Sequence, residues 1–255
     1  MENKKEAVIS ARKLKKSFTS QDMEQIIFDN LDLNIYRGDF TVIMGSSGAG
    51  KSTLLYSLSG MDRPTSGEIE FSGENLMKLS DDKLAVFRRK SCGFVFQQIY
   101  LLEKMSLMDN VITAGALVCN NKKDIIKRAE ELFEMVNIPE ATTKKCSSQI
   151  SGGEAQRAGI VRAVINQPEV VFADEPTGAL NSGNSEAVLD VFTKLHYNGQ
   201  SIIMVTHDKK SALRGNRVIY LKDGKISGEC DLGSYQQNDI RRTEQLDSFL
   251  SEMGW

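Results

Sequence analysis

The sequence predicts an α/β protein with a mostly parallel core sheet. Residues 170–173 (VVFA) and 201–206 (SIIMVT) are continuous apolar runs, as expected of neighbouring parallel strands that are covered on both faces. Between them, residues 186–198 carry apolar side chains at helical spacing and end at Gly199, which fits a crossover helix. A third apolar run, residues 40–44 (FTVIM), leads through glycines into a helical stretch, so a strand, a loop and a helix are expected there.

The elements around this core follow other patterns. Residues 8–18 and 25–36 predict two strands of an antiparallel edge, because apolar and polar residues alternate along the second. Residues 124–136 predict an amphipathic surface helix, since their apolar members recur at helical spacing among Lys and Glu. Residues 218–226 predict a hairpin that turns at Asp223-Gly224.

Length and composition suit a single domain with an insertion. The chain has 255 residues, of which 40% are apolar, enough to bury an ordinary core. We expect this domain to cover residues 1–226, followed by an appendage, residues 227–255, that contains a short helix. One face of that helix would consist of Leu246, Phe249, Leu250 and Met253.

Charge and cysteine usage exclude some functional classes. The 32 basic and 34 acidic residues nearly cancel, so overall charge does not favour nucleic acid or anionic lipid as the main partner. The four scattered cysteines, Cys92, Cys119, Cys146 and Cys230, suit reduced structural thiols and lack the spacing of a disulfide framework or a zinc site. No apolar run approaches the ~20 residues that span a bilayer, and none near the N-terminus resembles a signal peptide. We therefore expect a soluble, cytoplasmic chain.

Residues 45–52 (GSSGAGKS) match the phosphate-binding motif GxxxxGK[ST], between a predicted strand and a predicted helix. Glycines let backbone N–H groups turn inward around phosphate oxygens, and the helix start adds a partial positive charge. Lys51 would reach the outer phosphates, Ser52 would bind Mg²⁺ and Thr53 a nearby phosphate. The nucleotide-binding candidates are Gly45, Ser46, Ser47, Gly48, Ala49, Gly50, Lys51, Ser52 and Thr53.

Two further segments complete the picture of a nucleotide site. Asp174 ends a predicted strand, where its carboxylate can hold Mg²⁺ through water, and Glu175 is a candidate general base. Such a pair is more often a turn or a helix cap when it stands alone. Ser151-Gly152-Gly153-Glu154 precedes a helical segment; its serine fits an N-cap, and the glycines that follow also allow an anion site.

The order GSSGAGKS, FVFQQ, ISGGEAQR, VVFADEPTGALN and VTHD resembles the ATP-binding cassette of ABC transporters over residues 8–226. The SGG segment, 23 positions before Asp174, is not expected of kinases or GTPases. The resemblance implies a P-loop NTPase fold with an N-terminal antiparallel β subdomain and an inserted α-helical subdomain, residues 98–167. It also implies an ATP hydrolase that uses Mg²⁺.

The resemblance assigns roles to three more residues. Gln97 resembles the glutamine that senses the γ-phosphate and Mg²⁺, although Gln98 is adjacent and the choice depends on the register after FVF. His207 resembles the histidine that contacts the γ-phosphate, where a strand-end histidine is otherwise more often structural. Phe18 resembles the aromatic residue that stacks on adenine, although a strand phenylalanine is normally part of a core. The catalytic candidates are Glu175, His207, Lys51 and Gln97, and the metal candidates are Ser52, Gln97 and Asp174.

The same resemblance implies that two copies of the chain enclose two ATP molecules. In that arrangement Ser151, Gly152, Gly153 and Glu154 of one copy face the phosphate loop of the other. Two positions depart from the usual pattern: Asn181 replaces a common Asp, and Glu154 replaces the more frequent Gln.

The residues within these motifs resemble those of the lipoprotein-release and macrolide-export branch of the family (LolD- and MacB-like). Within that branch they resemble the BceA-like subunits of antimicrobial-peptide resistance or export. The implied partner is a separate FtsX/MacB-type membrane permease that holds the chain at the cytoplasmic face of the membrane, with a sensor kinase reached through it. The alternative is the ATPase of a cell-division or lipoprotein-release permease complex. The apolar cluster that would receive the permease, or equally form helical-subdomain core, comprises Tyr100, Leu101, Leu102, Met105, Leu107 and Met108.

Overall fold

The computed structural model describes residues 5–20 and 23–255. Its strands are β1 (Ala7–Ser20), β2 (Met23–Tyr36), β3 (Phe40–Met44), β4 (Ser66–Phe71), β5 (Glu74–Asn75), β6 (Cys92–Phe96), β7 (Val170–Asp174), β8 (Ser201–Val205), β9 (Arg217–Lys222) and β10 (Lys225–Asp231). Its α-helices are α1 (Lys51–Leu58), α2 (Asp81–Ser91), α3 (Leu107–Gly115), α4 (Lys122–Met135), α5 (Glu140–Thr143), α6 (Gly152–Val164), α7 (Ser182–Tyr197), α8 (Lys209–Ala212) and α9 (Ile240–Glu252). The strands form two sheets.

The larger sheet has the strand order β10-β9-β3-β8-β7-β6, and every pair except β10 with β9 is parallel. The predicted strands at residues 170–173 and 201–206 lie side by side, and α7 crosses between them, as expected. Since parallel strands end at one edge of a sheet, Met44, Phe96, Asp174 and Val205 bring the segments that follow them together. This carboxyl edge is where open α/β sheets bind ligands.

The smaller sheet has the order β2-β1-β4-β5 and is antiparallel, which confirms the predicted antiparallel edge. Its apolar face and helix α1 form one core together with side chains of the larger sheet. Phe28, Leu54 and Phe172, one from each of these three elements, are fully or almost fully buried in it. The smaller sheet therefore fixes α1, and with it the loop that precedes α1, against the carboxyl edge.

A group of helices, α3 to α6, lies between β6 and β7 in the chain. The predicted amphipathic helix is α4, which buries Ile125, Ala129, Leu132 and Phe133. These side chains pack in the second core with α6 and with the other face of the larger sheet. That shared core holds the inserted helices on the sheet.

The C-terminal segment is packed more closely than the term appendage suggests. The expected boundary at residue 226 falls inside β10, which continues to Asp231, and α9 buries Leu246, Phe249 and Leu250 in the same core as α4 and α6. Arg242 is 3% exposed, and its guanidinium donates to the backbone carbonyls of Leu213, Gly215, Leu232, Gly233 and Ser234. The remaining residue of the expected apolar face, Met253, is partly buried against the same core.

All four cysteines are free thiols, as expected. Burial raises the pKa of the Cys92 thiol well above its usual range, which suits an inert core residue. Within residues 5–20 and 23–255, the structure has no helix that is both long enough and apolar enough to cross a membrane.

The packing of α9 is testable through Leu246, which is 0% exposed. We expect Leu246→Ala to lower the free energy of unfolding by about 2–5 kcal/mol, because it leaves a cavity in the second core, which α9 shares with α4 and α6. The exposed Ser248, two positions along the same helix, provides the control substitution Ser248→Ala. Equal denaturation midpoints for the two variants would show that α9 is not part of the core.

Candidate functional site

The loop between β3 and α1, residues 45–50, is shaped by glycines at two points. A Cβ on Gly45 would lie 2.1 Å from the carbonyl oxygen of Leu221, and one on Gly50 would lie 2.6 Å from Cγ2 of Ile27. Gly50 also has φ +91° and forms the N-cap of α1 without a side-chain cap. Because no side chain occupies this helix start, its backbone N–H groups remain available to an anion.

Lys51 lies within this loop. Its ammonium Nζ donates to the carbonyl oxygens of Gly45 and Ser46, each at 2.9 Å. Burial lowers the pKa of Lys51, and the carboxylates of Glu175 and Asp174 oppose that change. The ammonium is thus already directed into the loop that would surround phosphates.

Asp174, at the end of β7, is bound by two hydroxyl groups of α1. Ser52 Oγ donates to Asp174 Oδ1 at 2.8 Å, and the Tyr56 hydroxyl donates to Oδ2 at 2.6 Å. Hydroxyl and carboxylate oxygens are the ligands that Mg²⁺ prefers, so this donor set fits the ion. Tyr56 belongs to no recognised motif, and no pattern in the sequence points to a role for it.

Glu175 has φ +46°, a left-handed conformation that is uncommon for any residue but glycine. Its backbone N–H donates to the carbonyl of Val205 at 2.9 Å, which keeps the residue at the carboxyl edge. One carboxylate oxygen lies 2.9 Å from Nδ1 of His207, and the other accepts from Thr206 Oγ1 at 3.3 Å. Strained conformations of this kind cost about 1–3 kcal/mol and concentrate at functional sites.

Gln97 follows β6 at the same edge. A Cβ on Gly178 would lie 2.9 Å from Nε2 of Gln97, so the glutamine lies against the turn that follows Glu175. Another glutamine, Gln156, is 1% exposed and donates to the carbonyls of Phe96 at 3.0 Å and Pro176 at 2.8 Å. Gln156 thus joins α6 to the two segments that flank the site; its position after SGGEA was visible in the sequence, but no role was inferred for it.

Residues 151–154 form the N-terminus of α6. Ser151 Oγ accepts from the backbone N–H of Glu154 at 3.3 Å, and the Glu154 carboxylate accepts from the backbone N–H and the hydroxyl of Ser151, each at 2.8 Å. This reciprocal capping box confirms the predicted N-cap. Among the described residues no hydrogen bond joins this segment to residues 45–53.

Phe18 and Asn181 are the remaining predicted positions. Phe18 is 47% exposed, with Lys16 Nζ 4.8 Å from its ring centroid, so it is a surface residue and not part of a core. Asn181 caps α7, and its side chain accepts from the backbone N–H of Asn184 at 3.0 Å. An aspartate would make the same cap, so the departure at Asn181 changes charge and leaves the local fold intact.

Comparisons with known proteins agree with this geometry. Residues 28–178, more than half of the chain, match the family described as ABC transporter. The chain is similar to the macrolide export ATP-binding/permease protein MacB of Mannheimia succiniciproducens, with 38% identity over 86% of this chain and 34% of that protein. It is also similar to the lipoprotein-releasing system ATP-binding protein LolD of Aquifex aeolicus, with 39% identity over 80% of this chain and 90% of that one.

The chain therefore spans about a third of the length of the MacB relatives that it matches. Among solved structures it resembles the ATP-binding cassette MJ0796 in a dimeric post-hydrolysis state bound to ADP and Pi. The TM-score is 0.81 at 35% identity, and the match covers 89% of this chain and all of that one.

The capping box predicts a pH-dependent contribution to stability. The hydrogen bond from the Ser151 backbone, followed by that from its hydroxyl, lowers the pKa of Glu154. Because the folded state favours the ionised form, its contribution is present at neutral pH and is lost as the pH falls through the lowered folded pKa. We expect Glu154→Gln to lower the melting temperature at pH 7 and the difference from wild type to shrink below pH 4.5, the ordinary pKa of a glutamate.

Thermal melts between pH 7 and pH 3.5 check this, with the exposed Glu134→Gln in the last turn of α4 as the control. A Glu154→Gln deficit that is absent at pH 7, or that stays constant down to pH 3.5, would contradict it.

Proposed function

The chain belongs to the ABC transporter family, and we propose that it is the ATP-binding and ATP-hydrolysing subunit of a transporter whose membrane permease is a separate polypeptide. One observation carries the proposal: the phosphate loop, Asp174, Glu175 and His207 meet at a single edge of the core sheet, joined by hydrogen bonds of 2.8 Å from Ser52 to Asp174 and 2.9 Å between Glu175 and His207.

Each group at this edge has a distinct task in hydrolysis. Lys51 and the N–H groups at the start of α1 bind the phosphates. Ser52, Asp174 and Gln97 would hold Mg²⁺, which when bound supplies charge neutralisation on the phosphate oxygens. Glu175 accepts a proton from the water that attacks the γ-phosphate, while Thr206 and His207 hold the glutamate carboxylate in place. His207 is 70% exposed, so its second ring nitrogen is accessible to the γ-phosphate.

The chain works as a dimer in this proposal. Its support is the dimeric state of the similar cassette MJ0796; in addition, no hydrogen bond between described residues joins residues 151–154 to the phosphate loop of the same chain. Residues 151–154 of one copy complete the ATP site of the other, and Phe18, which is exposed near the end of β1, stacks on adenine. Loss of the γ-phosphate contacts after hydrolysis lets the dimer open.

The permease contact lies in the apolar cluster after Gln97, which the structure divides into two parts. Leu107 is fully buried in the second core, whereas the side chains of Tyr100 and Leu102 are 64% and 54% exposed. Arg162 of α6 donates to the carbonyls of Ile99 at 2.7 Å and Tyr100 at 2.5 Å. A permease helix that presses on Tyr100 and Leu102 would therefore move α6 and the segment at its N-terminus.

The finer assignment concerns the permease and its task. Similarity to MacB and LolD supports an FtsX/MacB-type permease and a peripheral position at the cytoplasmic face of the membrane. A role in antimicrobial-peptide resistance or export, and a sensor kinase reached through the permease, stay predictions from motif wording. The alternative, mechanical work for lipoprotein release or cell division, uses the same ATPase. Copurification with the permease, followed by tests of which peptide stimulates ATP hydrolysis, separates the two.

The base is tested by Glu175→Gln. We expect ATP hydrolysis to fall by about 10²- to 10⁴-fold, because the amide does not accept the proton, while ATP binding is retained. Phosphate release and equilibrium ATP binding are measured on the purified chain. The exposed Glu130→Gln serves as the control, and a Glu175→Gln variant that hydrolysed ATP at the wild-type rate would refute the assignment.

The permease surface is tested by Tyr100→Asp and Leu102→Asp. We expect each to abolish permease-dependent stimulation of ATP hydrolysis, since a buried charge at the contact costs binding free energy, while the isolated chain still binds ATP. Ile240→Asp, on an apolar residue that is 71% exposed in α9, is the control. Unchanged stimulation in both variants would remove these residues from the contact.

A further inference from the structure

Helix α1 presents two hydroxyl groups to the same carboxylate. Ser52 and Tyr56 are four residues apart, so they lie on one face of the helix. Ser52 Oγ donates to Asp174 Oδ1 at 2.8 Å, and the Tyr56 hydroxyl donates to Oδ2 at 2.6 Å. The two oxygens of Asp174 are thus fixed separately, by two donors on one rigid element.

The Tyr56 hydroxyl gives Asp174 a charge-assisted hydrogen bond, since it donates to the carboxylate oxygen Oδ2 at 2.6 Å. A hydrogen bond from a hydroxyl to an ionised carboxylate is about twice as strong as one between neutral groups.

The two hydroxyls differ in what they can do when ATP and Mg²⁺ bind. The motif assigns the Ser52 hydroxyl to the metal, so its hydrogen bond to Oδ1 is available for exchange. The Tyr56 bond is made to the other oxygen and does not have to be given up. Tyr56 is then the side chain that keeps the Asp174 carboxylate in one orientation.

We propose that Tyr56 is a positioning residue for Mg²⁺: its hydroxyl holds Asp174 through Oδ2 and leaves Oδ1, beside Ser52, to the ion. The inference rests on the proposed function, because it assumes that this edge binds Mg²⁺ with ATP. Residues that orient a metal ligand typically contribute about 10- to 100-fold to metal affinity.

Tyr56→Phe isolates the hydroxyl. The ring packs against the core beneath the smaller sheet, and the Tyr56 carbonyl accepts from the backbone N–H groups of Met61 and Asp62 at 2.9 and 3.1 Å. Phenylalanine keeps the ring and these backbone bonds. Tyr197→Phe is the matched control, because it removes a hydroxyl that donates to the carbonyl of Tyr235 and not to Asp174.

The probe is Mn²⁺, which shares the preference of Mg²⁺ for oxygen ligands and whose free form gives an electron paramagnetic resonance signal. Mn²⁺ affinity is measured with a non-hydrolysable ATP analogue present, and the affinity for the analogue alone is measured in a chelator. For Tyr56→Phe we expect Mn²⁺ affinity to fall about 10- to 100-fold with metal-free analogue affinity unchanged. Tyr197→Phe should match wild type in both.

Two results would overturn the inference. Mn²⁺ affinity of Tyr56→Phe equal to that of Tyr197→Phe would show that the hydroxyl does not position Asp174. An equal loss of metal-bound and metal-free analogue affinity would show that the substitution damages the site as a whole. Neither result affects the proposed function if the wild-type chain hydrolyses ATP with Mg²⁺; a wild-type chain that did not would overturn the proposed function and the inference together.

Discussion

The Asp174 carboxylate is the contact on which the arrangement of the site depends. It ends the inner strand β7, between β6 and β8, and it accepts hydrogen bonds from Ser52 and Tyr56 of α1. These bonds join α1, the helix after the phosphate loop, to the carboxyl edge of the larger sheet. The donor set for a metal follows from that junction, and Glu175 is the next residue along the chain.

The segments of the proposed site are also hydrogen-bonded to the inserted helices. Gln156 of α6 binds the carbonyls of Phe96 and Pro176, on either side of the site, and Arg162 of the same helix binds the backbone of the exposed segment at Ile99 and Tyr100. A displacement of that exposed segment would therefore be transmitted to α6 through these hydrogen bonds. The helix has the capped residues 151–154 at its other end, so it would connect the proposed permease surface to the predicted second half-site.

The sequence predicted the fold class well because its strongest signals are local. Continuous apolar runs, glycines before Lys51 and an ordered series of motifs identify the cassette fold, which the match to the ABC transporter family and the similarity to MJ0796 confirm.

Residues whose role depends on distant neighbours were not predicted. Tyr56 stands in an ordinary helical stretch, and only the folded chain brings it to Asp174. Arg242 lies in a polar stretch, yet it is buried because five carbonyls from residues 213–234 surround it. Tyr100 and Leu107 belong to the same apolar cluster, and only the packing of the folded chain shows that Tyr100 is exposed and Leu107 is buried.

Equilibrium titration of ATP with the purified chain tests whether this edge of the sheet is an ATP site. Calorimetry should show one ATP bound per chain in the presence of Mg²⁺. Binding should be at least about tenfold weaker in Lys51→Ala, because that variant loses the ammonium that points into the phosphate loop. Equal ATP affinity for the wild-type and Lys51→Ala chains, or no binding by either, would contradict the account.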